Sequence, residues 1–259
     1  MPGEKTISNR TRKLLQQTLS DWQQWSTSHE QTLTEPPRLI GPLLGGTTNE
    51  TFLVASGDFK AVVRVNSPIS QALGIDRQRE AKILRLLAPS GVIPKVFYCT
   101  DDVLVSEYIV GQPLTAQTLK NTVIKETVHA AVNTIQAVPM PNEVPRNYLQ
   151  YCRGYLDQLS DDCVCPDLKR EIEVSATAVD SADWYSVICH HDLVPQNIIK
   201  NAHGVTIIDW EYAALGHPRL DFLRLYGVDY AASRGHENTL QPLLKVQQAM
   251  DELWLAVQV

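Results

Sequence analysis

The chain has 259 residues, of which 44% are hydrophobic and 20% charged, and its 23 basic and 29 acidic residues give a formal net charge of −6. This composition is typical of a globular protein and excludes a disordered or collagen-like chain. The acidic balance also argues against the broad basic surface that binds nucleic-acid polymers, so any phosphate has to be bound locally.

The sequence gives no sign of a membrane or secretory segment. Residues 1–6 are polar, and no apolar run is long enough to cross a bilayer. The five cysteines are odd in number and contain no C-x-x-C spacing, which favours reduced thiols over a disulfide framework or a zinc ribbon. We therefore expect a cytoplasmic protein without a membrane partner. The sequence carries no signal for the oligomeric state.

The first 110 residues predict a helical segment followed by a small β lobe. Apolar residues at helical spacing over residues 8–27 stop before Pro36 and Pro37, which defines an N-terminal helical segment over residues 1–35. The β-rich runs and the helical run that follow are residues 39–44, 51–55, 61–65, 76–87 (helical), 95–98 and 103–108. This pattern predicts an antiparallel sheet with one main helix, forming an N-lobe over residues 36–110.

The remaining residues, 111–259, predict a mostly helical C-lobe, which is helical again from Arg219 to about Ala232. Its main exception is a β-hairpin, in which two β-branched runs flank the turn sequence of residues 201–204. Because the two strands of a hairpin are antiparallel, the residues just before the first strand lie close to the residues just after the second strand. The sequence thus predicts an α+β, bilobal fold with a β-hairpin in the C-lobe.

The hairpin is framed by a group of polar residues with a recognisable spacing. His190, Asp192 and Asn197 form the pattern H-x-D-x-x-x-x-N before the first strand, and Asp209 ends the second. Phosphoryl transfer from ATP needs this set, because a carboxylate must orient the attacking hydroxyl while amide and carboxylate oxygens hold Mg²⁺. The pattern predicts Asp192 as the catalytic base and Asn197 and Asp209 as the magnesium ligands.

Two other interpretations of this segment compete with phosphoryl transfer. Each Asp or Asn taken alone is equally typical of an ordinary turn. His190, His191 and Asp192 also contain the donor types of a transition-metal hydrolase, although adjacent histidines point poorly at one ion. The combination of all the motifs favours phosphoryl transfer, with His190 bracing the loop through a backbone hydrogen bond.

A cation on the third predicted strand is a candidate for binding the nucleotide phosphates. Arg64 stands where such enzymes usually carry lysine, and Glu80 on the following helix is its predicted ion-pair partner. The alternative is an exposed surface arginine. The other predicted nucleotide contacts are the turn residues Gly46, Thr47, Thr48 and Asn49, which suit an ordinary hairpin equally well, and the backbone of Glu107 and Ile109.

Three stretches of the chain resemble a known family. They are GGTTNETFLV (45–54), CHHDLVPQN (189–197) and IIDWEYAALGHPRLDF (207–222). Together they resemble the aminoglycoside phosphotransferase and choline kinase superfamily, most closely the bacterial choline and thiamine kinases. The resemblance covers nearly the whole chain from about Leu39 onward. The resemblance implies a protein-kinase-like fold whose C-lobe contains a catalytic hairpin. It also implies the same roles for Asp192, Asn197 and Asp209, and places Glu211 in the site for the alcohol substrate.

Aromatic residues near the motifs are candidates for contact with a cationic substrate. Trp210, Tyr212 and Trp254 offer faces to an ammonium or thiazolium group, and core packing is the alternative for each. We therefore expect ATP- and Mg²⁺-dependent phosphorylation of choline, ethanolamine or thiamine. An aminoglycoside phosphotransferase and a non-catalytic kinase-like binding protein remain alternatives. Asp221 is predicted to brace the catalytic loop.

Overall fold

The computed structural model describes residues 7–27, 33–43, 48–160, 163–233, 235 and 237–258. Gly46 and Thr47 of the predicted nucleotide contacts lie outside the described residues. The chain divides into two compact units, Met1–Ser70 with Pro94–Val110, and Gln71–Ile93 with Gly111–Val259. The helix that the sequence analysis assigned to the N-lobe therefore groups with the second unit. The domain limits otherwise stay a prediction.

The first unit contains one helix and an antiparallel sheet in the order β1-β2-β3-β5-β4. Its elements are α1 (Asn9–Ser20), β1 (Arg38–Leu43), β2 (Glu50–Ser56), β3 (Phe59–Val65), β4 (Val96–Cys99) and β5 (Val103–Glu107). The Ser8 hydroxyl caps α1 by accepting the Thr11 N–H at 3.0 Å. Leu15 and Trp25 enter the same apolar core as Phe59. The N-terminal segment thus packs on the sheet of its own unit.

The second unit is mostly helical. Its helices are α2 (Arg77–Leu87), α3 (Thr122–Gln136), α4 (Tyr148–Leu156), α5 (Pro166–Asp180), α6 (Leu220–Tyr226), α7 (Val228–Ala232) and α8 (Glu237–Val257), and its strands are β6 (Gln112–Pro113), β7 (Val187–Cys189), β8 (Ile198–Asn201), β9 (Gly204–Ile207) and β10 (Ala214–Gly216). Buried apolar side chains from α4, α5, α6 and α8 form its core. The continuous helix expected from Arg219 to about Ala232 is wrong, because Gly227 has φ +80° and separates α6 from α7.

Two small sheets position the loop between β7 and β8. The predicted hairpin is confirmed: β8 and β9 pair from Ile198 with Ile207 to Asn201 with Gly204, and β6 adds a third strand. The β7 strand pairs with β10 on the other side of the loop. Residues 190–197 therefore run between two anchored strands. In the part of the chain that the structure describes, no helix is long and apolar enough to cross a membrane.

Candidate active site

The loop between β7 and β8 is held from inside the unit by Asp221 of α6. This carboxylate is 2% exposed and accepts the backbone N–H of His190 at 2.9 Å and of His191 at 3.1 Å. Burial raises the pKa of Asp221, while His190 and the two N–H donors favour its charged form. The predicted bracing of the loop by Asp221 is confirmed.

The two histidines of the loop are also bound to backbone. His190 Nε2 lies 2.9 Å from the Ile208 carbonyl, and its Nδ1 accepts the Asp192 N–H at 3.3 Å. The predicted bracing role of His190 is confirmed. Because both of its ring nitrogens are engaged, His190 is not available as a metal ligand, which argues against the hydrolase interpretation. Among the described residues, no group of three or more His, Cys, Asp or Glu side chains is arranged to hold a metal ion.

His191 occupies the turn of this loop in a left-handed conformation, with φ +65°. Its Nδ1 lies 3.2 Å from the Cys189 carbonyl, and its ring packs 6.1 Å from that of Tyr148. Burial, together with the charge of Arg146, holds the pKa of His191 well below its ordinary value. His191 is therefore a neutral, buried part of the loop.

The backbone brings the three residues predicted for catalysis and metal binding to one end of the hairpin. Asn197 Nδ2 donates to the Asp192 carbonyl at 2.9 Å and lies 3.4 Å from Asp192 Oδ2. The Asn197 carbonyl in turn accepts the Ile208 N–H at 2.9 Å, so Asp209 follows directly. Asp209 is exposed, and its φ of +67° is a conformation that clusters at functional sites.

The donor set at this end of the hairpin suits a hard cation. Because Asn197 turns its amide nitrogen toward Asp192, the amide oxygen is left as its ligand atom. Amide and carboxylate oxygens are the ligands that Mg²⁺ prefers. The chemistry of these side chains therefore fits the predicted metal, and their individual roles stay predictions.

Asp192 has a partner that the sequence analysis missed. Arg224 Nη2 contacts Asp192 Oδ1 at 2.8 Å, and Arg224 Nη1 contacts Asp251 Oδ1 at 2.9 Å. Burial lowers the pKa of Arg224, but the two carboxylates outweigh burial and the net pKa is raised. Arg224 lies one helical turn after Asp221, a spacing that was available in the sequence. Nothing local points to Asp251.

A second arginine links two of the predicted site residues. Arg77 Nη1 contacts Glu80 Oε2 at 2.9 Å and Glu211 Oε2 at 3.0 Å, and all three side chains are buried. Burial of this kind is tolerated because the charges are paired. The sequence analysis missed Arg77, although its i,i+3 spacing to Glu80 on α2 signals an ion pair. Contact of Glu211 with a substrate stays a prediction.

The aromatic candidates fall into two groups. Trp210 is 2% exposed, donates from Nε1 to the Ile207 carbonyl at 2.9 Å and packs 4.8 Å from the His190 ring, which favours core packing. Tyr212 and Trp254 are half-buried, and Trp254 Nε1 donates to the Tyr212 hydroxyl at 2.6 Å. The second pair lies beside Asp251, because Trp254 follows it by one turn of α8.

The predicted phosphate cation lies in the first unit. Arg64 on β3 is 8% exposed, so the alternative of an exposed surface arginine is wrong. Its Nε donates to Asn66 Oδ1 at 2.9 Å, and the Asn66 amide donates to the Asp101 carbonyl at 2.9 Å. Arg64 and Glu80 belong to different units, and their pairing stays a prediction.

The other described nucleotide candidates also lie in the first unit. Asn49 Oδ1 accepts the Ser67 N–H at 3.1 Å, which gives this side chain a bracing role. Thr48 is half-buried. Glu107 ends β5 and its N–H donates to the Lys95 carbonyl at 2.8 Å. Ile109 lies two residues further on.

Comparison with known proteins agrees with the resemblance seen in the motifs. The sequence model of the choline/ethanolamine kinase family matches residues 40–249. Human ethanolamine kinase 1 is 25% identical over 240 residues, covering 83% of this chain and 51% of that protein. Mouse ethanolamine kinase 2 is 23% identical over 199 residues, covering 70% of this chain and 51% of that protein. The chain thus spans about half the length of these curated relatives.

Solved structures share the fold. The choline kinase LicA from Streptococcus pneumoniae has a TM-score of 0.69 at 18% identity, covering 96% of this chain and 91% of that one. LicA in complex with AMP has a TM-score of 0.75 at 19% identity, covering 99% and 91%. The predicted bilobal, protein-kinase-like α+β fold and the predicted superfamily are confirmed. The chain belongs to the choline/ethanolamine kinase family.

Proposed function

We propose that the chain transfers the γ-phosphoryl group of ATP to the hydroxyl of a small cationic alcohol, with choline and ethanolamine as the first candidates. The observation that carries this proposal is the hairpin pairing, which brings Asp209 in sequence next to a residue bonded to Asn197, while Asn197 itself bonds Asp192. Membership of the choline/ethanolamine kinase family supports the same reaction. The AMP complex of LicA supports a nucleotide as the donor.

Asp192 is the proposed base. Its carboxylate accepts the hydroxyl proton of the acceptor as the alcohol oxygen bonds to the γ-phosphorus. The bond from that phosphorus to the β–γ bridging oxygen breaks, and ADP leaves with the electron pair. A covalent phosphoenzyme is unnecessary, because alignment of the two reactants supplies most of what this reaction needs.

Asn197 and Asp209 are the proposed ligands of Mg²⁺. The amide oxygen of Asn197 and the carboxylate of Asp209 are hard ligands. The Ile208 N–H bonds the Asn197 carbonyl, and Asp209 is the next residue after Ile208. When bound, the metal neutralises charge on the phosphate oxygens. The bond from Asn197 Nδ2 to the Asp192 carbonyl keeps the amide oxygen of Asn197 oriented.

The proposed nucleotide contacts come from the first unit. The Arg64 guanidinium is suited to bidentate contact with phosphate, and Asn66 restrains its Nε. Glu107 offers its carbonyl to the adenine, since its own N–H is already bonded to Lys95. Ile109 offers an N–H. The remaining proposed contacts are Gly46, Thr47, Thr48 and Asn49, with Glu80 as the partner of Arg64.

The proposed binding residues for the cationic end of the acceptor are Tyr212 and Trp254. Their hydrogen bond joins two half-buried aromatic side chains, and aromatic faces attract ammonium groups. Glu211 adds negative charge that it shares with Arg77. The burial of Trp210 favours a packing role for that residue. Thiamine, whose thiazolium also binds aromatic faces, is the third candidate acceptor.

The test is ADP release by the purified chain with ATP, Mg²⁺ and one acceptor at a time: choline, ethanolamine, thiamine or kanamycin. We expect turnover with choline or ethanolamine, and a phosphorylated product by mass spectrometry. A preference for kanamycin would support the aminoglycoside phosphotransferase instead. Nucleotide binding without any turnover would support a binding protein and refute the proposal.

A further inference from the structure

Arg224 connects the proposed base to the last helix of the chain. It binds Asp192 Oδ1 through Nη2 at 2.8 Å, and both oxygens of Asp251 through Nη1 at 2.9 and 3.1 Å. The Arg224 side chain is 13% exposed, against 32% for Asp192 and 50% for Asp251. A mostly buried guanidinium thus lies between two carboxylates that reach solvent.

This arrangement distinguishes the two oxygens of Asp192. Oδ1 accepts a short, charge-assisted bond from Arg224. Among the residues that the structure describes, Oδ2 has only the 3.4 Å approach of the Asn197 amide, a distance at the weak limit of hydrogen bonding. Oδ2 is therefore the oxygen best able to accept a proton from an incoming hydroxyl, and Arg224 fixes the rotamer that presents it.

Asp251 is what fixes Arg224. An arginine side chain loses rotamer entropy when it is held in one conformation, so one contact to the part-exposed Asp192 carboxylate leaves it poorly ordered. The second contact, to Asp251, anchors the other nitrogen of the guanidinium. Asp251 lies two residues beyond residue 249, where the match to the family model ends. The anchor therefore belongs to a part of α8 that the family comparison does not cover.

We infer that Arg224 is a positioning residue for Asp192, and that Asp251 holds Arg224 in the productive rotamer. This inference rests on the proposed function, because it assigns Asp192 as the base. Neither residue needs to touch the acceptor. The expected signature is a loss of kcat with little change in the KM of either substrate.

Arg224→Ala tests the first half of the inference. We expect kcat to fall about 100-fold, the cost of a misplaced reacting group, with both KM values within about threefold of the original. Guanidinium ion added at a non-denaturing concentration should restore part of the kcat, and Arg224→Lys should retain more activity than Arg224→Ala. A raised acceptor KM at unchanged kcat would overturn the inference, because it would make Arg224 a binding residue.

Asp251→Asn tests the second half, with Lys245→Ala as its matched control. Lys245 pairs with Glu171 at 2.6 Å and ties α8 to α5 without touching Asp192 or Arg224. Asp251→Asn should lower kcat up to about fivefold, as for a half-exposed ion pair, and Lys245→Ala should leave kcat unchanged. Equal losses in the two variants would overturn the inference, since they would reflect the docking of α8 alone.

The outcomes for the inference and for the proposed function are distinguishable. If the unsubstituted protein is inactive on every acceptor, the proposed function is refuted. An active original chain with fully active Arg224→Ala and Asp251→Asn variants refutes only the inference. If Arg224→Ala does not fold, the kcat of Arg224→Lys decides between the outcomes. Lysine keeps the charge but lacks the fork that holds both carboxylates, so a lowered kcat supports the inference and an unchanged kcat refutes it.

Discussion

The loop between β7 and β8 has two faces that use aspartate in opposite ways. On the inner face, Asp221 is 2% exposed and holds two backbone N–H groups. On the outer face, Asp192 is 32% exposed and holds one arginine. A fully buried carboxylate that is committed to the backbone is a structural element, whereas a part-exposed one restrained through one oxygen keeps the other for chemistry.

The sharpest way to break this comparison is to neutralise the outer carboxylate. Asp192→Asn should lower kcat by about 10³-fold, since it removes the proposed base. The free energy of unfolding should change by less than about 1 kcal/mol, because the lost ion pair is part-exposed. Steady-state kinetics and urea unfolding measure the two effects. Retained turnover would mean that Asp192 is not the base.

The inner carboxylate should give the reverse result. Asp221→Ala removes the acceptor of two buried N–H groups, each of which costs about 1–3 kcal/mol when left unsatisfied. We expect the free energy of unfolding to fall by about 3 kcal/mol in urea titrations. Asp229→Ala, at an exposed position on α7, is the control and should stay within about 0.5 kcal/mol. Equal stability of the two variants would contradict a bracing role.

The inner face should also make stability depend on pH through His191. Its native pKa is lowered by burial, so below the unfolded value of about 6.5 the unfolded chain takes up a proton that the native loop excludes. The free energy of unfolding should therefore fall on acidification from about pH 7 to 5, by up to about 1.4 kcal/mol per pH unit.

The variant His191→Asn isolates this effect, because asparagine tolerates the left-handed backbone at this position. Its unfolding free energy should depend less steeply on pH over the same window. His203→Asn, at an exposed turn position, should keep the slope of the original chain. A slope unchanged by His191→Asn would show that His191 does not resist protonation.

Local signals made much of this loop predictable. The turn sequence of residues 201–204 and the β-branched runs beside it specify the hairpin, and the hairpin register alone returns Asp209 to Asn197. The bracing role of His190 follows from its place in the motif, two residues before Asp192. These features depend on residues that are close in sequence, whereas the bracing by Asp221 was predicted although it joins residues 30 and 31 positions apart.

The unpredicted features depend on contacts that are distant in sequence. Asp251 reaches Arg224 from 27 positions away, and Glu211, in the turn after β9, meets Arg77 of α2. Residue spacing does not predict such pairs. They form only because α6 packs against α8, and because α2 is buried in the folded unit. The same limit applies to Trp210 and Trp254, because their burial depends on packing against parts of the chain that are distant in sequence.

The same substitution, made separately at Trp210 and at Trp254, distinguishes a packing tryptophan from one that contacts the acceptor. Trp210→Phe removes a buried hydrogen bond to Ile207 and leaves a void, so the free energy of unfolding should fall by about 1–2 kcal/mol at unchanged acceptor KM. Trp254→Phe removes the bond to Tyr212 and weakens the aromatic face, so the acceptor KM should rise about threefold with stability nearly unchanged. If Trp254→Phe altered only stability, Trp254 would be a packing residue and the acceptor's cation would have to bind elsewhere.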